Sequence, residues 1–409
     1  MNSLPHLRHS VNPEAAAFVV RAILFSVAGI VALIGFIIVR RWLRRRYFDR
    51  LADAEFYVRQ HWNQILSGEI QAEWRSIRIR GRAIITLMLD RLDVADHQEG
   101  EILRSFLRRT GLLDRIVIDA RRLRGWRREE ALVRLGRTRA PEAVPALVGA
   151  LDDPHLNTQL AAVRGLARTG LTIAAEAMLE RLLTGELKLK GTSLLNALMI
   201  CTRAKPRIIF PYLFLARGEK RELLARVLAE VPADAAAAAL GDEVLLLAAD
   251  PLPEVRACAA RALAHRELAF AFPTLATLAK DEEWFVRLRA VTSLGHFADS
   301  RAVPVLLHGI CDGNRHVRQR AAEALTHVPD VVSVLRDVLE TGDAYALQAM
   351  IAELDRTGNF TKLIELLESS GSPVEQGESE RLLRALESGV QNLSAVMRIP
   401  APLKPVKMA

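Results

Sequence analysis

Between residues 250 and 325 the chain repeats itself at intervals of 31 residues without a gap. Asp250, Asp281 and Asp312 fall in one column, Val255, Val286 and Val317 in a second, Arg256, Arg287 and Arg318 in a third, and Leu263, Leu294 and Leu325 in a fourth. Pro273 and Pro304 stand eight residues ahead of Asp281 and Asp312, and Pro145 stands eight ahead of Asp153. A fixed period of this length marks a supersecondary unit that cannot bury its apolar face alone and does so against its neighbours. In the unit from Ala302 to Leu325, Val303, Leu306, Leu307 and Ile310 make one stripe at helical spacing, and Val317, Ala321, Ala322 and Leu325 make another. Each unit therefore reads as helix, short polar turn, helix. With 50% hydrophobic but only 5% aromatic residues over 409 positions, the composition suits Ala- and Leu-rich helical packing in an extended array.

A second feature lies near the start. Residues 22–39 are 18 positions without a charge, long enough at 1.5 Å per residue to cross a bilayer core of about 30 Å if Arg21 reaches up to the interface. The basic run that follows, RRWLRRR, offers no small-residue cleavage site, so the segment reads as a retained anchor rather than a signal peptide. Arg40, Arg41, Arg44, Arg45, Arg46 and Arg50 flank its C-terminal side against Arg8 and Arg21 on the other, which places residues 1–21 outside and everything after Val39 in the cytoplasm. Trp42 and Tyr47 suit the headgroup zone. The same arginines fit either a topology signal or a site for anionic lipid.

The formal net charge of +8 divides unevenly: +1 over residues 1–21, +9 over 40–128, −5 over 129–397 and +3 in the tail. A nucleic-acid binder carries its positive charge along the recognition surface, and an acidic array argues against that role. Cys201, Cys258 and Cys311 lack CxxC or Cys/His spacing and read as small core residues.

On these residues the chain resembles the HEAT-repeat family, in the short bacterial form described as phycobilisome-lyase-like. That pattern has a proline in the first helix, an aspartate in the turn eight residues later and an arginine six residues further on. Pro273, Asp281 and Arg287 match it in full, as do Pro304, Asp312 and Arg318. Asp153 is followed by Gln159 where arginine is expected, and Pro211 by Glu219 and Ala225, so the repeats between 156 and 228 are degenerate. The resemblance implies an all-α fold, a right-handed α-solenoid over residues 127–368 preceded by the membrane helix, with Asp250, Arg256, Asp281, Arg287, Asp312 and Arg318 stacked into a structural ladder. The alternative for Arg256, Arg287 and Arg318 is a basic stripe for an acidic ligand.

Residues 40–126 read as a basic helical juxtamembrane subdomain, with Gly111 and Gly125 at helix C-caps and Ile77 and Ile79 open to a short strand. Residues 369–380 read as a linker, and 381–409 as an amphipathic helix with a Pro/Lys tail. Leu382, Leu383, Leu386, Val390, Leu393 and Met397 form that helix's stripe, fit to cap the last repeat or to enter a partner's groove.

HEAT-like hydroxylases bind iron through repeated His-Glu pairs, and this sequence has no His-Glu dipeptide, no HExxH, no GxSxG and no phosphate-binding glycine loop. The expectation is a scaffold rather than an enzyme of lyase or hydroxylase type, without metal, cofactor, nucleic acid or small-molecule substrate. The expected partner is a protein at the bacterial inner membrane. Second helices are expected to line the concave side, with Arg289, Arg320 and Glu323 as candidate contacts, and the resemblance associates such single-anchor chains with membrane machinery such as polysaccharide glycosyltransferases. Reporters fused after Arg50 and at Ala409 should both be active only as cytoplasmic reporters, and a periplasmic signal from either site reverses the orientation.

Overall fold

The computed structural model describes residues 13–70, 78–231, 242–264, 269–297, 300–368, 377 and 380–388, and among them there are helices and no strands. The chain divides into two compact units, residues 1–118 and 119–409.

The first unit is built on α1 (Pro13–Gln60), an unbroken helix of 48 residues. Every residue of 21–46 is exposed, including Phe25 at 83% and Val31 at 64%. Further along the same helix Ala54 and Val58 are buried, where α1 packs on α3 (Arg78–Val94). Tyr47 joins that contact by accepting a hydrogen bond of 3.0 Å from Arg82 Nη1. The short α2 (Trp62–Ser67) precedes α3, and α4 (His97–Arg109) and α5 (Leu112–Arg122) follow it.

Ile79 lies in the first turn of α3 rather than in a strand, while Ile77 falls outside the described residues. Ile84, Met88, Leu89 and Leu92 bury one helical face downstream, and that face draws the preceding residues into the helix. Gly111 takes a left-handed φ of 67° between α4 and α5, as a helix end requires. Gly125 differs from the expectation: with φ 58° it is the residue that opens the next helix, three positions beyond the end of α5.

The second unit stacks helical hairpins. One layer holds the second helices of each hairpin: α6 (Trp126–Arg137), α8 (Leu156–Thr169), α10 (Thr192–Thr202), α12 (Glu219–Ala229), α14 (Pro253–Ala262), α16 (Trp284–Gly295), α18 (Arg315–Thr326) and α20 (Ala344–Arg356). Each of them packs on the next. The first helices alternate with them: α7 (Val144–Val148), α9 (Thr172–Thr184), α11 (Ile209–Leu215), α13 (Glu243–Ala248), α15 (Ala271–Leu278), α17 (Val303–Ile310) and α19 (Val331–Glu340), with α21 (Asn359–Glu368) after α20. The proline column is explained by position. Pro145, Pro273 and Pro304 sit in the first turn of a first helix, where no helical N–H bond is lost.

Val255, Val286 and Val317 are fully buried, as are Leu263, Leu294 and Leu325, so the repeating apolar columns form the core between layers. Burial of each such side chain contributes about 1.5–3 kcal/mol. At residues 380–388, which are helical, Leu382 and Leu386 are buried, whereas Val390, Leu393 and Met397 lie outside the described residues. So does most of 369–380.

Helices α6 and α8 touch backbone to backbone: a Cβ placed on Gly136 would stand 2.4 Å from Gly165 Cα. Neither helix can relax without breaking its contacts with the next. Gly136→Ala is therefore expected to lower the urea midpoint of the full-length protein by the equivalent of about 1–3 kcal/mol, and an unchanged midpoint refutes the close crossing.

Candidate functional site

The turns between first and second helices carry a series of paired ionisable side chains. Asp281 Oδ1 accepts the backbone N–H of Glu283 at 3.0 Å, and Asp153, Asp250 and Asp312 accept from the residue two positions on in the same way. This local bond folds the turn and opens the helix that follows. Both carboxylate oxygens of Asp281 and Asp312 also meet the preceding repeat. Arg256 Nε and Nη2 reach Asp281 at 2.6 and 2.9 Å, and Arg287 grips Asp312 at the same two distances. Each arginine spends its remaining nitrogen on its own turn: Arg256 Nη1 donates to Asp250 O at 3.0 Å and Arg287 Nη1 to Asp281 O at 2.8 Å.

The pairs thus run forward, from the arginine of one repeat to the aspartate of the next. Arg318 donates to Asp312 O and Gly313 O in its own turn, and although Asp343 stands 25 residues ahead in the aspartate column, no ion pair joins the two among the described residues. Asp343 makes the same turn bond as the other aspartates, accepting the N–H of Tyr345 at 2.8 Å, while the Arg318 guanidinium lies 5.3 Å from the centre of the Tyr345 ring.

Two further arginines join the series. Arg128 pairs with Asp153, 25 residues on, the same interval that separates Arg256 from Asp281. Read forward at that interval, Arg128 was legible in the sequence. Arg221 pairs with Asp250 across 29 residues, because the connection is four residues longer there, and a fixed period misses it. Gln159 replaces an arginine with a neutral rung. Its amide donates to Asp153 O and Glu186 O at 3.0 and 3.1 Å and accepts from Lys188 N at 3.0 Å.

Burial pushes the carboxyls of Asp153, Asp281 and Asp312 up, but the N–H and guanidinium donors around each outweigh it and hold all three below the usual aspartate range. Burial also pushes the Cys201 thiol up to about 12 and the Cys258 thiol up to about 11, so both stay protonated at neutral pH and are poor nucleophiles and metal ligands. Among the described residues no three His, Cys, Asp or Glu side chains form a group able to hold a metal.

The candidate partner contacts separate. Arg289 is exposed and makes no ion pair among the described residues, whereas Arg320 binds Glu323 one turn along α18. Arg40, Arg41, Arg44, Arg45, Arg46 and Arg50 are all exposed on α1, with the Arg46 guanidinium 4.9 Å from the Trp42 ring centre.

Residues 125–192 and 241–326 match the family of HEAT repeats. No curated protein matches the sequence. Among solved structures, the chain is similar to an engineered protein at 17% identity, over 80% of this chain and 98% of that one, with a TM-score of 0.34. It is similar to YibA of E. coli at 16% identity over 59% and 92%, with a TM-score of 0.34. Importin beta aligns at 14% identity over 83% of this chain and 54% of its own length, with a TM-score of 0.41.

Arg287→Ala and Asp312→Ala should each destabilise the full-length protein by about 2–3 kcal/mol in urea, and the double variant by less than the sum, because a lone buried charge costs more than none. The folded-state pKa of Asp312 is depressed, so its contribution is present above the ordinary aspartate value of about 4 and is lost as pH falls through the lower folded value. The coupling between the two substitutions should therefore persist at pH 7 and fade in strong acid. Additivity at pH 7 means the two side chains do not interact.

Proposed function

We propose that this HEAT-repeat chain is a membrane-tethered scaffold, with α1 crossing a bilayer and the stacked hairpins holding a protein partner on the cytoplasmic side. The observation that carries the tether is the exposure of α1. Its window of mean hydropathy 2.9 is 0% buried, and an apolar surface of that extent is stable in lipid and costly in water. A cleaved signal fits less well, since the same unbroken helix places Ala54 and Val58 in the core of the first unit. The arginine-rich stretch that begins at Arg40 supports the inward orientation.

The scaffold reading is supported by the repeats themselves, because stacked hairpins offer an extended surface on which side chains vary while the core columns stay fixed. A membrane-bound assembly of the polysaccharide glycosyltransferase kind is the partner class to look for first. The protein is expected to stay with membranes through alkaline carbonate extraction. Crosslinking in native membranes, read by mass spectrometry, should recover one protein partner attached to residues of 119–409. Release by carbonate removes the tether. Stoichiometric metal in the purified protein, or no reproducible partner, removes the scaffold.

A further inference from the structure

One face of α1 can be followed from the apolar span into the core of the first unit. At about 100° per residue, Arg40, Arg44, Tyr47, Leu51, Ala54 and Val58 all lie within about 40° of one line along the helix. Helix α3 covers the far part of that face. Ala54 and Val58 are buried, Leu51 is half-buried, and Tyr47 accepts its hydrogen bond from Arg82 in the second turn of α3. Because every residue of 21–46 is exposed, α3 runs from Arg82 away from the apolar span, and its first turns are its membrane-side end. Between that end and the span, the face holds Arg40 and Arg44.

Neither arginine forms an ion pair among the described residues. Carboxylates on α1 stand elsewhere: Asp49 is about 160° and Asp53 about 120° round the helix from Tyr47. Glu55 lies about 16 Å further along than Arg44 and pairs with Arg59 at 3.9 Å. A third cation comes from α3. Side chains of a helix lean towards its N-terminus, here the membrane, so the Tyr47 hydroxyl and the Arg82 guanidinium bonded to it at 3.0 Å lean towards Arg44. Arg40 directly follows the apolar run, and Arg44 is one turn, about 6 Å, beyond it, which matches a head-group layer about 5–7 Å deep.

We propose that Arg40 and Arg44 of α1, with Arg82 of α3, bind the head group of an anionic phospholipid, its phosphate oxygens accepting N–H bonds from the guanidiniums. Forked guanidiniums suit phosphate oxygens in pairs. With no carboxylate on this face, nothing receives the ammonium of a zwitterionic head group, and the site selects an anionic one. Orientation in the membrane depends on how many cations flank the span and not on their face, so it does not account for a convergence from two helices. This inference rests on the membrane tether and gives it a lipid class.

The test titrates the purified full chain in detergent micelles with phosphatidylglycerol and, separately, with phosphatidylcholine, and counts bound lipids by native mass spectrometry. One saturable phosphatidylglycerol is expected, and Arg40→Gln with Arg44→Gln should weaken it about tenfold or more and remove the preference over phosphatidylcholine. Arg41→Gln with Arg45→Gln, an equal loss of charge about 120–160° round the helix from Tyr47, should leave it unchanged. Inorganic phosphate at the lipid's own concentration should displace none of it. Circular dichroism and melting identify a misfolded double variant, in which case Arg44→Gln alone is used. Equal affinity for the two lipids overturns the site, as does an equal loss in both double variants or displacement by phosphate. A chain that resists carbonate extraction yet shows no lipid preference loses this site and keeps its tether, whereas release by carbonate overturns both.

Discussion

Each ladder arginine must satisfy two turns at once, and the stacking of the hairpins depends on it. Arg287 gives one nitrogen to the carbonyls of Asp281 and Glu282 in its own turn and two to the carboxylate of Asp312 in the next. Only 9% of the Asp312 side chain is exposed, so an unpaired charge there would cost several kcal/mol. A planar guanidinium meets both demands in one fixed geometry, whereas a lysine ammonium cannot hold two carboxylate oxygens and a backbone carbonyl together. Because the receiving aspartate also folds its own turn, one contact sets both the start of a helix and the register of that helix against its neighbour. The apolar columns supply the larger share of the stability but slide more easily than a forked ion pair does.

The irregular stretch shows how the same task is met without the same residues. Gln159 is 1% exposed and carries no charge, yet it bridges its own turn and the backbone at Glu186 and Lys188. A neutral amide avoids the desolvation cost of a charge while still satisfying three backbone groups. At Arg221 the charge is retained and the chain length changes: four extra residues intervene before Asp250, and the ion pair closes nonetheless. The series ends at Arg318, whose cation lies against the Tyr345 ring while Asp343, the aspartate of the next turn, accepts the backbone N–H groups of Tyr345 and Ala346.

These differences mark the boundary of what the sequence discloses. The all-helical repeats were legible because period, proline position and apolar columns all report the same helix-turn-helix unit. The direction of the ladder was not. The interval of six residues between Asp281 and Arg287 suggests a pair within one repeat, while the bonds join Arg256 to Asp281 and Arg287 to Asp312. Spacing along one chain cannot distinguish a neighbour in sequence from a neighbour in the stack. Gly125 was misplaced for a related reason, since a glycine between two helices serves either end and only its backbone angles decide which. The self-pairing of Arg320 with Glu323 was legible at a spacing of three residues on one helix, since Arg289 has Thr292 at the corresponding place.

Charge distribution links the two units to their proposed roles. On the proposed reading, the arginines after residue 39 meet the anionic face of a bilayer, and they have few carboxylates to meet first: all six on α1 are exposed. In the array the reverse holds, because carboxylates outnumber cations and most arginines are bound internally. On the same proposed reading, an array with an acidic balance is repelled by that anionic surface, which leaves its second helices to protein rather than lipid. The selectivity of such a surface comes from how many of its own charges the fold has already used.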